Sequence, residues 1–165
     1  LEAIRQLATT LEESSDNPTL SFILFIFINN AVKAVIIIYL GALLGVFPVF
    51  FLVINGMIIG YLLYLKQLEL GVGGMLDLVV RGLLPHGIFE IPAIVIAAAY
   101  GLRFGVLVWK EIFLSFRTLA GSDRKKPSEL KQFVPRTLPL AVGLVITLLV
   151  ASIIESTITP WLLAM

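Results

Sequence analysis

Four long stretches of apolar residues are the feature of this sequence that most restricts its fold. Each is long enough to cross the hydrocarbon core of a bilayer as a helix, and together they cover about residues 20–47, 48–65, 87–109 and 138–160. The chain is 59% hydrophobic and only 14% charged, which is too little polar surface to cover a soluble domain of 165 residues. The stretches do not alternate as barrel strands do, so the sequence predicts one all-α, polytopic transmembrane helix bundle.

Basic residues are concentrated between the third and fourth predicted spans. Segment 110–136 contains seven Lys and Arg residues against three acidic ones, whereas residues 1–21 contain four acidic residues and one Arg. By the positive-inside rule, 110–136 is predicted to be a cytoplasmic loop, which with four spans places both termini outside. Ser128 is positioned to cap a short helix within this loop, and the basic residues can also meet anionic lipid headgroups. No nucleic-acid partner is predicted.

Two shorter segments are predicted to lie outside the bilayer core. Residues 1–19 begin with apolar residues at helical spacing, which indicates an external amphipathic helix. The first residue is Leu1 rather than Met, so we expect that a signal peptide or another span precedes it. Segment 71–85 is too short to cross and carries Asp77 and Arg81 as an i,i+4 pair, which favours an interfacial helix over a re-entrant one.

Small residues recur at every fourth position in three of the spans. Such spacing lets helix backbones approach closely in lipid, and it favours packing within the bundle over a homodimer seam. The residues concerned are Gly41, Gly45, Gly56, Gly60, Ala93, Ala97, Gly101 and Gly105.

A few polar and ionisable residues interrupt the apolar stretches. Asn29 and Lys33 lie one turn apart, as do His86 and Glu90, and each pair therefore shares a helix face. A lysine and a carboxylate facing each other stabilise each other's charged form in an apolar medium. The sequence thus predicts an intramembrane polar cluster, which comprises Asn29, Asn30, Lys33, Asn55, His86 and Glu90.

Prolines and an arginine refine this picture of the third span. Pro85 suits the first turn of a helix, which would place the cluster near the outer surface, and Pro92 is predicted to kink the helix. The kink is either structural or part of a cavity, as in transporter ion sites. Arg103 lies roughly 20 Å along the helix from Glu90, so we expect it to extend toward the cytoplasmic headgroups. Glu155 is expected at the outer interface.

Catalysis and metal binding are not predicted. The chain has no cysteine and a single histidine, so the His86 and Glu90 pair lacks further ligands. Asp77 and Glu69 could complete an oxygen-rich site only through a re-entrant fold. No cofactor is expected.

The sequence from Pro85 to Ala93, PHGIFEIPA, together with GLRFG at 101–105, resembles the signature of the stage II sporulation protein M family. Asn29, Asn30 and Asn55 are similar to that family's other polar positions. The resemblance covers about residues 20–110, with a minor departure at AAAYG. It implies one more span ahead of this chain and, in spore-forming bacteria, a membrane component that holds peptidoglycan-cleaving partners. Related proteins also occur where neither spores nor peptidoglycan are made.

Two classes of function remain open at this point. We expect a non-enzymatic, multi-pass protein of the cell membrane that acts as a scaffold, with other membrane or envelope proteins as partners and a homo-oligomer as a further option. The alternative is a channel or transporter that uses the polar cluster for a small solute or ion. Four spans are few for a monomeric transporter, which favours a scaffold or an oligomeric pore.

Overall fold

The computed structural model describes residues 17–43, 45–119 and 128–165, and within these ranges the chain forms a bundle of long helices. The helices are α1 (Pro18–Leu40), α2 (Val46–Asp77), α3 (Leu84–Leu119) and α4 (Glu129–Leu163), and a π-helical segment at Leu78–Leu83 joins α2 to α3. The described part of the chain contains no strand, in agreement with the predicted all-α class. The predicted external helix falls mainly on residues 1–16, which lie outside the described residues.

Helix α1 starts and stops at residues with clear local reasons. The Asn17 side chain accepts a hydrogen bond from the backbone N–H of Leu20 at 3.4 Å, and Pro18 occupies the first turn. After Leu40 the chain turns, and Gly45 adopts a left-handed φ of 68° while its N–H donates to the Gly41 carbonyl at 2.8 Å. The first span therefore ends at 40 rather than at 47, because this turn interrupts the apolar run.

A second glycine divides the middle of the chain. Gly71 has φ 71° and ψ 178°, which no helix accommodates, and it is the one non-helical residue within Val46–Asp77. Beyond it the chain is helical through the π segment into α3. Residues 71–85 are thus the first part of a longer helix and not the separate short helix that the sequence predicted. The Asp77–Arg81 pair does form, with Oδ1 and Nε 2.8 Å apart.

The break at Gly71 folds α2 and α3 into an antiparallel hairpin. Near the start of α2, Pro48 lies against Gly101 of α3, whereas Leu62, nine residues before Gly71, lines the same cavity as Leu83. We call the end of the bundle that contains Gly71, the start of α1 and the end of α4 the hairpin end. The other end contains the Gly41–Gly45 turn.

Three helices are long and apolar enough to cross a membrane, where the sequence predicted four spans. They are Thr19–Leu40, Val46–Arg117 and Glu129–Leu163, and the second includes the Gly71 break within its 72 residues. Many large apolar side chains on them face outward; Met57, for example, is 64% exposed and Tyr61 62%. Such a surface suits lipid and not water.

The interior is formed by α1, α3 and α4. Its buried residues are small or aliphatic, and they are Ala34, Ile37, Ile38, Ala93, Ala97, Ala98, Leu144 and Leu148. Alanines on α3 let the neighbouring helices approach closely, as the small-residue spacing predicts for this helix.

The eight predicted packing residues divide into two groups. A Cβ added at Gly41 would overlap the backbone of Gly101, and one added at Gly105 would lie 2.8 Å from the backbone nitrogen of Gly45, so the end of α1 touches α3 backbone to backbone. Nothing lies within 4 Å of a Cβ added at Gly56 or Gly60. These two glycines of α2 therefore face out of the bundle.

Helix α4 is longer than its predicted span. The Ser128 side chain caps it by accepting from the N–H of Lys131 at 3.3 Å, and the helix then runs through three prolines to Leu163. The short capped helix and the span are thus one helix, and Lys131 and Arg136 lie on it. Because α3 also extends to Leu119, most of the predicted loop 110–136 is helical. Lys110 in the last part of α3 and Glu129, the first residue of α4, form an ion pair of 2.5 Å that links the two helices.

Candidate functional site

The polar residues near the hairpin end come from two antiparallel helices. His86 and Glu90 lie one turn apart on α3, and Glu155 and Thr159 lie one turn apart on α4. The packing of α3 against α4 places one ligand atom from each of His86, Glu90 and Glu155 within 4.8 Å of one another. We call these three residues the His–Glu–Glu cluster.

The histidine of this cluster is well enclosed. His86 is 9% exposed and Thr159 8%, and the Thr159 hydroxyl Oγ1 lies 3.4 Å from His86 Nδ1. Glu90 and Glu155 are half-buried. Two carboxylates and an imidazole thus meet in a part of the bundle that is otherwise apolar.

Lys33 supplies positive charge to the cluster from α1. It is half-buried and interacts electrostatically with both Glu90 and Glu155. Among the described residues it forms no ion pair within 4.0 Å, so it acts on the two carboxylates from further away. The predicted pairing of Lys33 with Glu90 therefore becomes a three-residue arrangement.

The asparagines of the predicted cluster are distributed differently from the sequence-based prediction. Asn30 is buried, on the same stripe of α1 as Ile26, Ala34 and Ile37. Asn29, which we expected to share an inward face with Lys33, is exposed, and Asn55 is half-buried on α2. Lys33, His86 and Glu90 are the predicted residues that the structure brings together.

Glu155 is the member of the site that the sequence did not predict there. We expected it at the interface because it lies near the end of the last apolar stretch, yet it faces His86 and Glu90. The sequence contains one signal for this position, which is that Glu155 and Thr159 are four residues apart and therefore share a face of α4. That spacing does not show which helix this face meets.

A cavity of about 390 Å³ lies beside the cluster at the hairpin end. His86, Glu155 and Thr159 form its polar wall, and most of the rest is apolar side chains from α1, α2, α4 and the π-helical segment. Lys66 also lines it and pairs with Glu69 at 2.5 Å. The cavity gives a small polar species a place beside the cluster.

The cluster has the residue types of a metal site. One imidazole and two carboxylates are ligands that first-row divalent cations accept. The sequence predicts no metal site because the His86 and Glu90 pair lacks further ligands, whereas the structure adds Glu155 from a helix distant in sequence.

Arg103 occupies the opposite part of the bundle. It is exposed, its guanidinium carbon lies 5.8 Å from the centroid of the Phe133 ring, and it lines a cavity of about 350 Å³ with Arg136.

The two prolines of the third predicted span lie within continuous helix. Pro85 is the second residue of α3 and Pro92 lies further inside the same helix. Neither proline folds the helix back, so Arg103 stays far from Glu90.

Comparison with known proteins identifies a family and a relative of this chain. The family model described as stage II sporulation protein M matches residues 2–160, a wider range than the 20–110 that the resemblance covered. An uncharacterized protein of Methanocaldococcus jannaschii is 34% identical over 157 residues, which is 94% of this chain and 62% of that protein. The chain thus spans less than two thirds of that relative's length. No solved structure matches this chain.

Proposed function

The chain belongs to the stage II sporulation protein M family, and from this premise we propose that it is a non-enzymatic membrane scaffold, a component of a membrane complex. The observation that supports this role is the closed end of the bundle opposite the hairpin. There Gly41 and Gly45 contact Gly101 and Gly105 at backbone distance, which leaves no room for a water-filled path between α1 and α3. A bundle closed in this way suits a structural role.

The proposed topology has four crossings. The helix Val46–Arg117 crosses twice because Gly71 turns the chain between α2 and α3. The end of α3 near Lys110 and the start of α4 near Arg136 lie in the cytoplasm, and the hairpin end lies outside. The distribution of Lys and Arg along the sequence supports this orientation.

The proposed contact surface for partners is the outward face of α2. Gly56 and Gly60 leave its backbone accessible, and the side chains around them, including Met57 and Tyr61, are exposed. Small residues on a lipid-facing helix allow another helix to approach closely. The proposed partners are other membrane or envelope proteins, with a second copy of the chain as a further option.

The proposed role excludes catalysis by this chain. Intramembrane hydrolysis needs a nucleophile with a base, or a metal-bound water, converging at one depth with a substrate path. The chain has no cysteine, and the close contact between α1 and α3 leaves no substrate path to the cluster from the opposite end of the bundle. We therefore assign the His–Glu–Glu cluster a non-catalytic role.

Transport of a small ion is the second candidate, and one observation favours it. Lys33, Glu90 and Glu155 place three ionisable groups together near a cavity in a bundle that spans a membrane. Ionisable residues at membrane depth are costly and often mark an ion path. A pore would require either a second conformation that opens the Gly41–Gly101 contact or a path between copies.

Flux through proteoliposomes separates the two candidates. The purified chain is reconstituted and tested for movement of water, protons, Na⁺, K⁺ and Zn²⁺, beside empty liposomes and the Glu90→Gln variant. The scaffold proposal expects the same rates in all three preparations. Flux of any of these species that the wild type supports and Glu90→Gln abolishes would replace it with the transport proposal.

A further inference from the structure

The His–Glu–Glu cluster contains a charge that the described structure does not balance locally. Glu90 and Glu155 lie close together, half-buried, while Lys33 offers one positive charge from beyond ion-pair distance. Lys66 is near the same cavity but pairs with Glu69. Two adjacent carboxylates in a low-dielectric medium repel strongly unless a proton or a metal cation lies between them.

The separation of the three groups fits a bound metal ion. An ion at about 2.0–2.2 Å from each ligand in tetrahedral geometry needs ligand atoms roughly 3.4 Å apart. The three ligand atoms all lie within 4.8 Å of one another, so small rotations of the two glutamate side chains suffice. The backbone does not have to move, because the ligands come from two helices that already pack together.

Thr159 is in the position of an outer partner for a histidine ligand. Its Oγ1 lies 3.4 Å from His86 Nδ1, where it can accept the Nδ1 hydrogen. Metal-binding histidines commonly donate their other ring N–H in this way, which fixes the tautomer and leaves Nε2 free for the ion. A threonine hydroxyl at Nδ1 therefore supports Nε2 as the metal-binding atom.

From these observations we propose that His86, Glu90 and Glu155 bind one divalent transition-metal cation of the Zn²⁺ class. Imidazole favours Zn²⁺ and its first-row neighbours over Mg²⁺ and Ca²⁺, which take oxygen ligands. Three protein ligands leave a position that faces the cavity of about 390 Å³, where water or a small anion completes the coordination. The site does not depend on the scaffold role and would stand if that proposal failed.

The test uses Zn²⁺ itself with the full chain, purified in detergent without a histidine tag. Wild type and variants are equilibrated with Zn²⁺ and dialysed, bound metal per chain is measured by mass spectrometry, and affinity is measured by calorimetry. The ligand variants are Glu155→Gln and Glu90→Gln. Glu69→Gln is the matched control, because Glu69 is an exposed glutamate outside the cluster.

We expect one Zn²⁺ per chain in wild type and in Glu69→Gln, and at least a 10-fold weaker affinity in each ligand variant. Lys33→Met should bind Zn²⁺ more tightly than wild type, because it removes a positive charge that opposes the ion. If the cluster served only to stabilise the fold, Lys33→Met would not increase the affinity for Zn²⁺. Wild type that binds no Zn²⁺, or ligand variants that bind it as tightly as wild type, would overturn the proposal.

A second measurement covers the case in which the ligand variants do not fold. X-ray absorption of Zn²⁺ bound to wild type should show a first shell of nitrogen and oxygen with one imidazole. Added Zn²⁺ should also raise the melting temperature of wild type, and a chelator should reverse the rise. A first shell of oxygen alone would show that the ion binds elsewhere on the chain.

Discussion

His86 Nδ1 and Thr159 Oγ1 lie 3.4 Å apart, although 73 positions separate the two residues in the sequence. This contact joins α3 to α4 at the hairpin end, in a region where both side chains are buried. It links His86, a residue of the predicted polar cluster, to a helix that contributes no residue to that predicted cluster.

Replacing Thr159 by valine tests the strength of this link. Valine keeps the shape and removes the hydroxyl, so we expect a loss of stability of about 0.5–1.5 kcal/mol, the usual range for a hydrogen bond between membrane helices. Unfolding of the purified chain in mixed micelles measures it. Thr157→Val is the control, since the exposed Thr157 hydroxyl donates only to the Ile153 carbonyl of its own helix. Equal losses in both variants would contradict a contribution from the contact between helices.

Lys33 should be the most important charge of the cluster for stability. Lys33→Met leaves Glu90 facing Glu155 without a cation, and we expect it to destabilise the metal-free chain by about 1–3 kcal/mol. Adding Glu90→Gln removes the repulsion and should restore part of the loss. The melting temperatures of the two single variants and the double variant in detergent, with chelator present, measure this. If the double variant recovers nothing, Lys33 and Glu90 are not coupled. Lys66→Met is the control, because Lys66 pairs with the exposed Glu69 and not with the cluster, and it should cost under about 1 kcal/mol.

Glycines at the closed end should not tolerate a methyl group. Gly101→Ala would place its Cβ 2.5 Å from the Ile37 carbonyl oxygen, so α1 and α3 must separate, and we expect a loss of about 2 kcal/mol or more. Gly60→Ala adds the same methyl group on α2 with nothing within 4 Å and should be neutral or slightly stabilising. Unfolding in mixed micelles compares the two. A Gly101→Ala chain as stable as wild type would contradict the close contact.

Single cysteines test the proposed topology, since the chain has none of its own. Gln67→Cys lies near the hairpin end and Ser115→Cys near the end of α3, and both positions are exposed. In right-side-out vesicles a membrane-impermeant maleimide should label Gln67→Cys and leave Ser115→Cys unlabelled until the vesicles are opened. Labelling of both positions, or the reverse pattern, would contradict four crossings with the hairpin end outside.

Crosslinking tests whether the outward face of α2 is a contact surface. A thiol-reactive crosslinker on Met57→Cys should join the chain to a second membrane protein or a second copy, while Ala97→Cys in the buried core should give no adduct. Gly60→Leu on the Met57→Cys background fills the open face and should prevent the adduct. An adduct that persists with Gly60→Leu would show that the small residues do not define this surface. Immunoblotting of membrane fractions gives the readout.

Local patterns in the sequence predicted the features that depend on neighbours along the chain. The apolar runs indicate helices in lipid, Ser128 caps α4, and Asp77 pairs with Arg81 one turn away. His86 and Glu90 share a face because they are four residues apart. In each case the partners lie within one helical turn, so spacing alone carries the information.

Features that depend on which helix faces meet were not predictable in this way. Asn29 and Asn30 are adjacent, and only the position of α1 against α3 and α4 decides that Asn30 is buried and Asn29 exposed. The same spacing of glycines forms a backbone contact at Gly101 and Gly105 but faces outward at Gly56 and Gly60. Equal motifs therefore have different environments.

By itself, the sequence determined that this chain is helical, suited to a bilayer, and provided with ionisable groups on one helix face at the start of its third apolar stretch. The tertiary structure alone decided that Gly71 divides the long middle helix and that Glu155 and Thr159 of α4 meet His86 and Glu90. The physical reason is that helix formation is governed by hydrogen bonds and side chains within a few residues. The assembly of a site across helices depends on close packing between surfaces that are remote in sequence.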